Sequence, residues 1–154
     1  MLEVGVLGEV RAHLDGRRLD LGGPRRRAVL ALLVAAGGSV VPTERFVEEL
    51  WAGAPPPRAV ALQAYVSHLR RVLEPDRGPR RPATVLVSAA PGYRLDLPVE
   101  AVDAWHHVAL VAAARRALAD GDPVTALAEL DRARARWRAR PTPPPRTSPG
   151  PSPR

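Results

Sequence analysis

The chain has 154 residues, enough for one domain of about a hundred residues plus a fragment, and its 23 basic residues exceed its 16 acids by 7 charges. Cysteine is absent, which excludes disulfides, thiol catalysis and most structural zinc sites. No apolar run reaches the roughly 18 residues of a membrane span, and the N-terminus lacks a basic leader, so we expect a soluble cytoplasmic protein. Every basic residue is arginine, which is typical of a GC-rich genome, so the positions of the arginines say more than their number.

The beginning of the chain predicts a small antiparallel sheet followed by a helix. The strands are expected at residues 4–7, 9–14 and 17–19. The pair Asp15-Gly16 is a hairpin signal between the last two. Pro24 suits the first turn of a helix that continues to Ala36, where two glycines stop it.

A second, shorter helix is predicted after an extended piece at residues 39–41. Thr43 is expected to cap it, and its apolar side chains recur at helical spacing: Phe46, Val47, Leu50 and Trp51. Of these, Trp51 is assigned to the core. Prolines at residues 55–57 end the helix and stiffen the approach to the next one.

The third predicted helix, residues 58–73, is amphipathic. Its apolar stripe steps by four, three and four residues, through Leu62, Val66, Leu69 and Leu73. The opposite side carries short or hydrogen-bonding side chains and then a cation: Val60, Gln63, Ala64, Ser67, His68 and Arg71. Such a face fits a DNA major groove, but many surface helices also carry arginine on a solvated face. The helix alone leaves both interpretations open.

A terminal hairpin completes the first domain. Glu74-Pro75 closes the third helix, and residues 85–87 and 93–95 have strand composition around Pro91-Gly92. An N-terminal antiparallel sheet, three helices and a hairpin predict an α+β fold, a winged helix-turn-helix, over residues 1–98.

Arginines cluster within this domain. Residues 58–81 contain six arginines against two acids, a local charge of +4, and Arg25, Arg26 and Arg27 form a second cluster. Clustered arginines pair with phosphates, and counterion release makes such binding steeply salt-dependent.

Residues 101–138 predict a partial all-α hairpin of the tetratricopeptide kind. Asp103 is expected to cap a helix that runs through Leu118, and Asp122-Pro123 supplies a new cap and a first-turn proline. The second helix sets four residues on nearly one side: Leu127, Leu130, Arg134 and Trp137. Such hairpins bury their apolar faces on neighbours and generally need about three repeats.

The remainder, residues 139–154, is expected to be a disordered or polyproline-like tail. Seven of the last fourteen residues are proline, and the others are Arg, Thr, Ser and Gly. Two interpretations stay open. The tail is a natural linker, or it is the product of a shifted reading frame in GC-rich DNA, where a wrong frame tends to give Pro and Arg; we favour the second.

Five segments in register resemble the DNA-binding domain of the SARP/AfsR regulators of actinomycetes, whose effector fold is similar to the OmpR type. They are Val6-Leu7-Gly8, Leu21-Gly22-Gly23-Pro24-Arg25, Glu49-Leu50-Trp51, Leu62 to Arg71 without a break, and Pro91-Gly92-Tyr93-Arg94-Leu95. The resemblance covers residues 1 to about 97, and residues 101–138 resemble the start of the bacterial transcriptional activation domain, apparently truncated. It implies transcriptional activation of a biosynthetic gene cluster. The implied partners are double-stranded DNA at direct repeats, RNA polymerase, and a second copy on DNA, with no cofactor and no membrane; the implied location is the nucleoid.

Candidate DNA contacts follow from the third helix and the family register. The positions expected over base edges are Gln63, Ala64, Ser67 and His68, because glutamine can read adenine and an alanine methyl can contact thymine. His68 is equally well explained as a solvated histidine. The positions expected at the DNA backbone are Arg25, Arg26, Thr43, Arg45, Tyr65, Arg70 and Arg71.

The hairpin is expected to serve as a wing. Gly92 would permit its tight turn and Arg94 would reach the minor groove. If Arg94 instead pairs with Asp96 or Glu100, the wing contributes little.

An enzyme finds no support in the sequence. His106 and His107 diverge by about 100° on a helix, so they cannot clamp one metal ion, and no P-loop or Gly-x-Ser-x-Gly occurs. Two alternatives remain: a protein-interaction module that uses residues 101–138, and a non-functional fragment that exposes Trp105, Leu127 and Trp137.

Overall fold

The computed structural model describes residues 1–51 and 58–138, which form two small sheets and five α-helices. The strands are β1 (Leu2–Gly5), β2 (Arg11–Leu14), β3 (Arg17–Arg18), β4 (Val41–Pro42), β5 (Leu86–Ala89) and β6 (Gly92–Leu95). The helices are α1 (Pro24–Ala35), α2 (Thr43–Trp51), α3 (Arg58–Leu73), α4 (Asp103–Ala119) and α5 (Pro123–Arg138). None of the described helices is long and apolar enough to cross a membrane. The prolines at 55–57 and the tail at 139–154, on which sequence predictions were made, lie outside the described residues.

The first sheet has the order β1-β2-β3 and is antiparallel, as predicted. The Asp15-Gly16 pair forms the two-residue turn, with φ of 50° and 78°. The first strand is shifted from the predicted residues 4–7, because Leu14 pairs with Leu2 and Gly5 with Arg11. This register uses the very start of the chain and leaves residues 6–10 as the connection to β2.

The core lies between the first sheet, α1, α2, α3 and the second sheet. The apolar stripe predicted for α3 is confirmed, since its members are at most 2% exposed: Leu62, Val66, Leu69 and Leu73. Phe46 of α2 and Leu30 and Leu33 of α1 are fully buried beside them. Because one side of α3 is completely buried, its opposite side is presented to solvent.

The second sheet has the order β4-β6-β5, and its hairpin β5–β6, called the wing from here on, is joined to α2. Strand β4 runs directly into α2 and pairs with β6, Val41 opposite Tyr93 and Pro42 opposite Gly92. The backbone N–H and the hydroxyl of Thr43 both donate to the carbonyl of Pro91, each at 3.2 Å. The prediction that Thr43 caps α2 is wrong: Thr43 is the first residue of the helix itself, and its hydroxyl donates to the wing.

The hairpin α4–α5 is attached to the winged-helix part through the start of α4. Val102 forms a parallel bridge with Val4 of β1. The Asp103 carboxylate accepts hydrogen bonds from the backbone N–H groups of Val6 at 2.9 Å and Leu7 at 3.2 Å. The predicted cap at Asp103 is thus wrong, because Val102 is the N-cap of α4 and the carboxylate serves the β1–β2 connection instead.

Trp105 adds a second attachment. Its indole Nε1 donates to the carbonyl of Val34 at the end of α1, at 2.7 Å, and its ring packs against the core. The expectation of an exposed Trp105 is therefore wrong. The two attachments together hold the first turns of α4 against both the sheet and α1.

Asp103→Ala is expected to lower the free energy of unfolding by about 2 kcal/mol, because the amides of Val6 and Leu7 lose a charged acceptor. Urea denaturation of the full chain measures the change. Asp131→Ala, at an exposed position of α5, is the matched control and should change stability by no more than about 0.5 kcal/mol. Equal stability of the two variants would show that the Asp103 contact contributes nothing.

The two helices of the hairpin meet through small side chains. The buried positions are Leu110, Ala114, Ala126 and Ala133. The Asp122 carboxylate accepts the N–H of Thr125 at 3.0 Å, so its predicted capping role is confirmed; the hydroxyl of Thr125, followed by its N–H, lowers the pKa of Asp122. Of the larger apolar side chains of α5, Leu127 is 62% exposed, whereas Trp137, 51% exposed, lies against His107 of α4 with ring centroids 5.8 Å apart. The predicted stripe of α5 is therefore only partly directed outward, because Leu130, Arg134 and Trp137 border His107 and Val111 of α4.

Candidate nucleic-acid interface

The solvent side of α3 presents four side chains for which the sequence predicts DNA contacts. Gln63, Ala64, Ser67 and Arg71 are exposed. They follow one another at helical spacing along one side, with side chains that are short or hydrogen-bonding before the cation. This face, called the reading face from here on, can place a side-chain amide, a methyl group and a hydroxyl against base edges.

His68 lies at the edge of the reading face and turns partly inward. The residue is half-buried, and its Nε2 is buried with no hydrogen-bond partner among the described residues. A Cβ added at Gly22, in the loop before α1, would lie 3.4 Å from this nitrogen. The structure therefore places the imidazole toward that loop rather than fully beside Ser67.

A layered contact of two arginines and two aromatic rings joins α1, α2 and α3. The rings of Trp51 and Tyr65 stack with centroids 6.0 Å apart and planes 8° from parallel. The guanidinium of Arg25 lies 5.7 Å from the Trp51 centroid, and that of Arg26 lies 5.9 Å from the Tyr65 centroid. Cation–π attraction therefore orients both arginines at the N-terminus of α1.

This layered contact borders a concave surface that suits an anion. A cavity of about 540 Å³ is lined there by Gly23, Pro24, Arg25, Arg26 and Tyr65. The N-terminus of α1 has no side-chain cap, so its first N–H groups and its dipole also favour negative charge. The clustering of these arginines is visible in the sequence, but the stacking that orients them is not, because nothing in the local sequence signals that Trp51 and Tyr65 meet.

Arg27, the third member of that cluster, makes contacts within the protein itself. Its Nη1 pairs with Glu9 at 3.0 Å, and its Nε donates to the carbonyl of Gly22 at 3.1 Å. Glu9 also pairs with Arg18 at 2.6 Å. These contacts distinguish Arg27 from Arg25 and Arg26, whose guanidinium groups lie over aromatic rings.

Arg70 and Arg71 differ sharply in their surroundings. Arg70 Nε donates to the carbonyl of Leu86, and its Nη2 donates to Ser88 Oγ, both at 2.8 Å. The same guanidinium lies 5.7 Å from the ring centroid of Tyr93. Arg70 therefore links α3 to both strands of the wing, whereas Arg71 is exposed on the reading face.

Arg70→Ala is expected to lower the free energy of unfolding by about 2 kcal/mol, through two charge-assisted hydrogen bonds and one cation–π contact. Arg71→Ala is the control within the same helix and should change stability by less than about 0.5 kcal/mol. Chemical denaturation of both variants makes the comparison. If Arg71→Ala destabilised the chain as much as Arg70→Ala, the assignment of the wing contact to Arg70 would be wrong.

In the wing, Gly92 is needed for a different reason from the one predicted. It lies within β6, not in a left-handed turn, and a Cβ there would overlap the carbonyl oxygen of Val41 and come within 2.9 Å of Pro42 Cα. Close approach of β4, rather than turn geometry, therefore requires glycine.

Arg94 pairs with Asp96 through Nη2 and Oδ2 at 2.8 Å. The two side chains are 39% and 51% exposed, so this ion pair adds little to stability. In this arrangement the wing is expected to contribute little to DNA contact. Arg94 also borders the cavity beside Trp105, away from the Pro91 turn.

Thr43 and Arg45, the α2 candidates for backbone contact, have separate surroundings. The Thr43 hydroxyl is bonded to Pro91, while Arg45 is exposed on the first turns of α2. The residues that the structure brings together are therefore Arg25, Arg26 and Tyr65 in one group and the reading face in another.

Comparison with known proteins identifies similar chains. The family described as transcriptional regulatory protein, C terminal, matches residues 16–95. The regulatory protein AfsR of Streptomyces coelicolor is 38% identical over 123 residues, which cover 79% of this chain and 12% of AfsR. The transcriptional regulatory protein EmbR of Mycobacterium tuberculosis is 37% identical over 121 residues, which cover 78% of this chain and 31% of EmbR.

A solved structure agrees with these matches. Mycobacterium tuberculosis EmbR, in complex with a low-affinity phosphopeptide, superposes with a TM-score of 0.77 at 36% identity, covering 88% of this chain and 36% of that one. The chain thus spans between 12% and 31% of the length of the curated relatives compared above. Both are named as regulatory proteins, not as enzymes.

Proposed function

Because this chain belongs to the transcriptional regulatory proteins with an OmpR-type winged helix, and among them to the SARP/AfsR regulators, we propose that it binds specific double-stranded DNA sequences through α3. The observation that carries the proposal is the reading face, which is exposed while the opposite stripe of α3 is completely buried. A helix anchored this way can enter a major groove without losing core contacts.

Base reading is assigned to the middle of the reading face. Gln63 can donate to and accept from adenine in one bidentate contact, and Ala64 can meet a thymine methyl. Ser67 follows one turn later and can bond to several bases. His68 contributes at the edge, where its imidazole faces away from the centre of the helix surface.

Phosphate contacts are assigned to one flank and to the C-terminal end of this face. On one side the stacked arginines Arg25 and Arg26, with Tyr65 and the N-terminus of α1, form a concave cationic surface. At the C-terminal end of the face Arg71 follows the base readers, where the chain leaves the groove.

The remaining candidates are weaker contacts or act by positioning. Thr43 and Arg45 lie at the start of α2 and add contacts to the DNA backbone. Arg70 acts mainly by holding the wing against α3. Arg94 reaches the minor groove only after it separates from Asp96.

Residues 101–138 follow the winged helix of residues 1–98 and are the part to which we assign a regulatory role. We assign them to the beginning of an activation domain that contacts RNA polymerase while copies of the protein occupy direct repeats. We propose that this arrangement activates a biosynthetic gene cluster. The protein would then act in the cytoplasm, on the chromosome.

Selection of binding sites from a random duplex pool with the full chain tests this proposal. The expected result is enrichment of a repeated motif whose affinity falls steeply as salt rises, because arginine–phosphate contacts release counterions. A folded sample that binds no duplex at low salt would contradict it and favour the protein-interaction alternative. Binding without enrichment would contradict sequence-specific reading and leave only an electrostatic surface.

A further inference from the structure

Gly22, in the loop before α1, lies directly beside Arg26, one of the residues to which a phosphate contact is assigned. A Cβ added at Gly22 would be 2.6 Å from Arg26 Nη1 and 2.8 Å from Arg26 Cδ, both closer than a Cβ atom can approach. The Arg26 side chain therefore occupies space that any other residue at position 22 would need. The same guanidinium lies 5.9 Å from the ring centroid of Tyr65, so Arg26 is bounded by the loop and by the ring.

The backbone of the loop is held in place at Gly22. Its N–H donates to Asp20 Oδ1 at 2.9 Å, and its carbonyl accepts from Arg27 Nε at 3.1 Å. Its φ of 80° is in the left-handed region, which favours glycine. The added Cβ would be 3.4 Å from His68 Nε2, close to an ordinary contact. A side chain at position 22 would therefore displace the flexible end of Arg26.

Arg26 is not anchored by an ion pair. Among residues 1–51 and 58–138, no carboxylate lies within ion-pair distance of its guanidinium. Arg27 differs in this respect, because it is paired with Glu9. The position of Arg26 is therefore set by its contacts with Gly22 and Tyr65, and a change at either residue would move it.

We propose that Gly22 is a positioning residue for DNA binding. Because Gly22 has no side chain, Arg26 can lie over Tyr65 with its guanidinium at the concave cationic surface. Gly22 itself needs no contact with DNA. This role rests on the proposed function, because it explains how one of the assigned phosphate contacts is held in place.

The first test is NMR spectroscopy of the full chain without DNA. Nuclear Overhauser effects between the Arg26 side chain and the Tyr65 ring are expected in the unmodified chain and should be lost in Gly22→Ala. Gly16→Ala is the matched control, because Gly16 has a φ of 78° and a Cβ there would meet no atom within 4 Å. Both variants carry similar backbone strain, but only Gly22→Ala should displace Arg26.

The second test measures affinity for a duplex that the unmodified chain binds, across salt concentrations. Gly22→Ala is expected to weaken binding about tenfold and to lower the salt slope by about one, as Arg26→Ala does. The double variant Gly22→Ala, Arg26→Ala should bind no more weakly than Arg26→Ala alone. Gly16→Ala should leave the affinity and the salt slope unchanged.

Contacts between Arg26 and Tyr65 that persist in Gly22→Ala would overturn the proposal, whether or not the chain binds DNA. Unchanged affinity of Gly22→Ala, additive losses in the double variant, or equal losses in Gly22→Ala and Gly16→Ala would also overturn it. If the unmodified chain binds no duplex, the proposed function fails and the binding role of Gly22 fails with it, even where NMR shows that Gly22 holds Arg26.

A second variant serves if Gly22→Ala does not fold. Gly22→Asn then takes its place, with Gly16→Asn as the control. Asparagine tolerates the left-handed backbone better than alanine does, while its Cβ still crowds Arg26. The same loss of affinity and of the ring contact is expected.

Discussion

Gly92→Ala is expected to lower the free energy of unfolding by about 3 kcal/mol, the largest stability change of the variants considered. The added methyl group would overlap the carbonyl oxygen of Val41 and crowd Pro42 Cα, which are backbone atoms and cannot rotate away. Relief requires β4 and β6 to separate, and β4 runs directly into α2. The substitution should therefore loosen the wing and the start of α2 together.

Thermal and urea denaturation of the full chain measure this effect. Gly78→Ala is the matched control, because its Cβ would meet only Arg81 side-chain atoms, at 3.8 to 4.0 Å. Amide exchange should show lost protection in β4 and β6 of Gly92→Ala. Unchanged stability and protection would mean that the close approach of β4 and β6 is not a real constraint on the fold.

The double variant Gln63→Ala, Ser67→Ala is expected to lose most sequence preference while remaining folded. One bidentate base contact is worth about 1–3 kcal/mol, so the affinity ratio between a selected and a scrambled duplex should fall by about 30-fold. Stability should change by less than about 0.5 kcal/mol, since both side chains are exposed. Fluorescence anisotropy with both duplexes at one salt concentration measures the ratio.

Arg71→Ala is the matched comparison for that experiment. A phosphate contact should weaken binding to both duplexes equally and lower the salt slope by about one. If the Gln63→Ala, Ser67→Ala variant instead weakened both duplexes to the same extent, these residues would not be base readers.

The order of elements was predictable from the sequence because it rests on local signals. The buried stripe of α3 follows from a strict 3.6-residue period, and the turn at Asp15-Gly16 and the start of α1 at Pro24 follow from backbone preferences of single residues. The exposed face of α3 then follows from the buried one. These features depend on neighbours within about one helical turn.

The misassigned roles depend on contacts distant in sequence. Thr43 and Asp103 have the side chains of helix caps, yet they bond to groups 48 and 97 residues away, in the wing and beyond β1. Local propensity cannot distinguish these uses, because the Thr43 hydroxyl can donate to a carbonyl as well as accept at a cap, and the Asp103 carboxylate can accept from either set of N–H groups. The wing contact of Arg70 likewise requires the hairpin to fold back on α3.

The packing of the α4–α5 hairpin was likewise not predictable from local sequence. The large side chains on α5 suggested the packing side, yet Leu127 is exposed and the buried positions are Ala114, Ala126 and Ala133, while Trp137 contacts His107 of α4 at the edge of the hairpin. Small residues permit close helix approach, and a hydrophobicity pattern gives them little weight.

A cleavage experiment tests most directly whether the reading face enters DNA. The chain contains no cysteine, so Ser67→Cys can carry a single tethered iron chelate that cuts nearby DNA. Arg115→Cys, exposed on α4, is the control. Strong cuts within the selected site are expected from position 67, and only weak cuts are expected from position 115. Bound Ser67→Cys that leaves the site uncut, or equal cutting from both positions, would contradict the proposal.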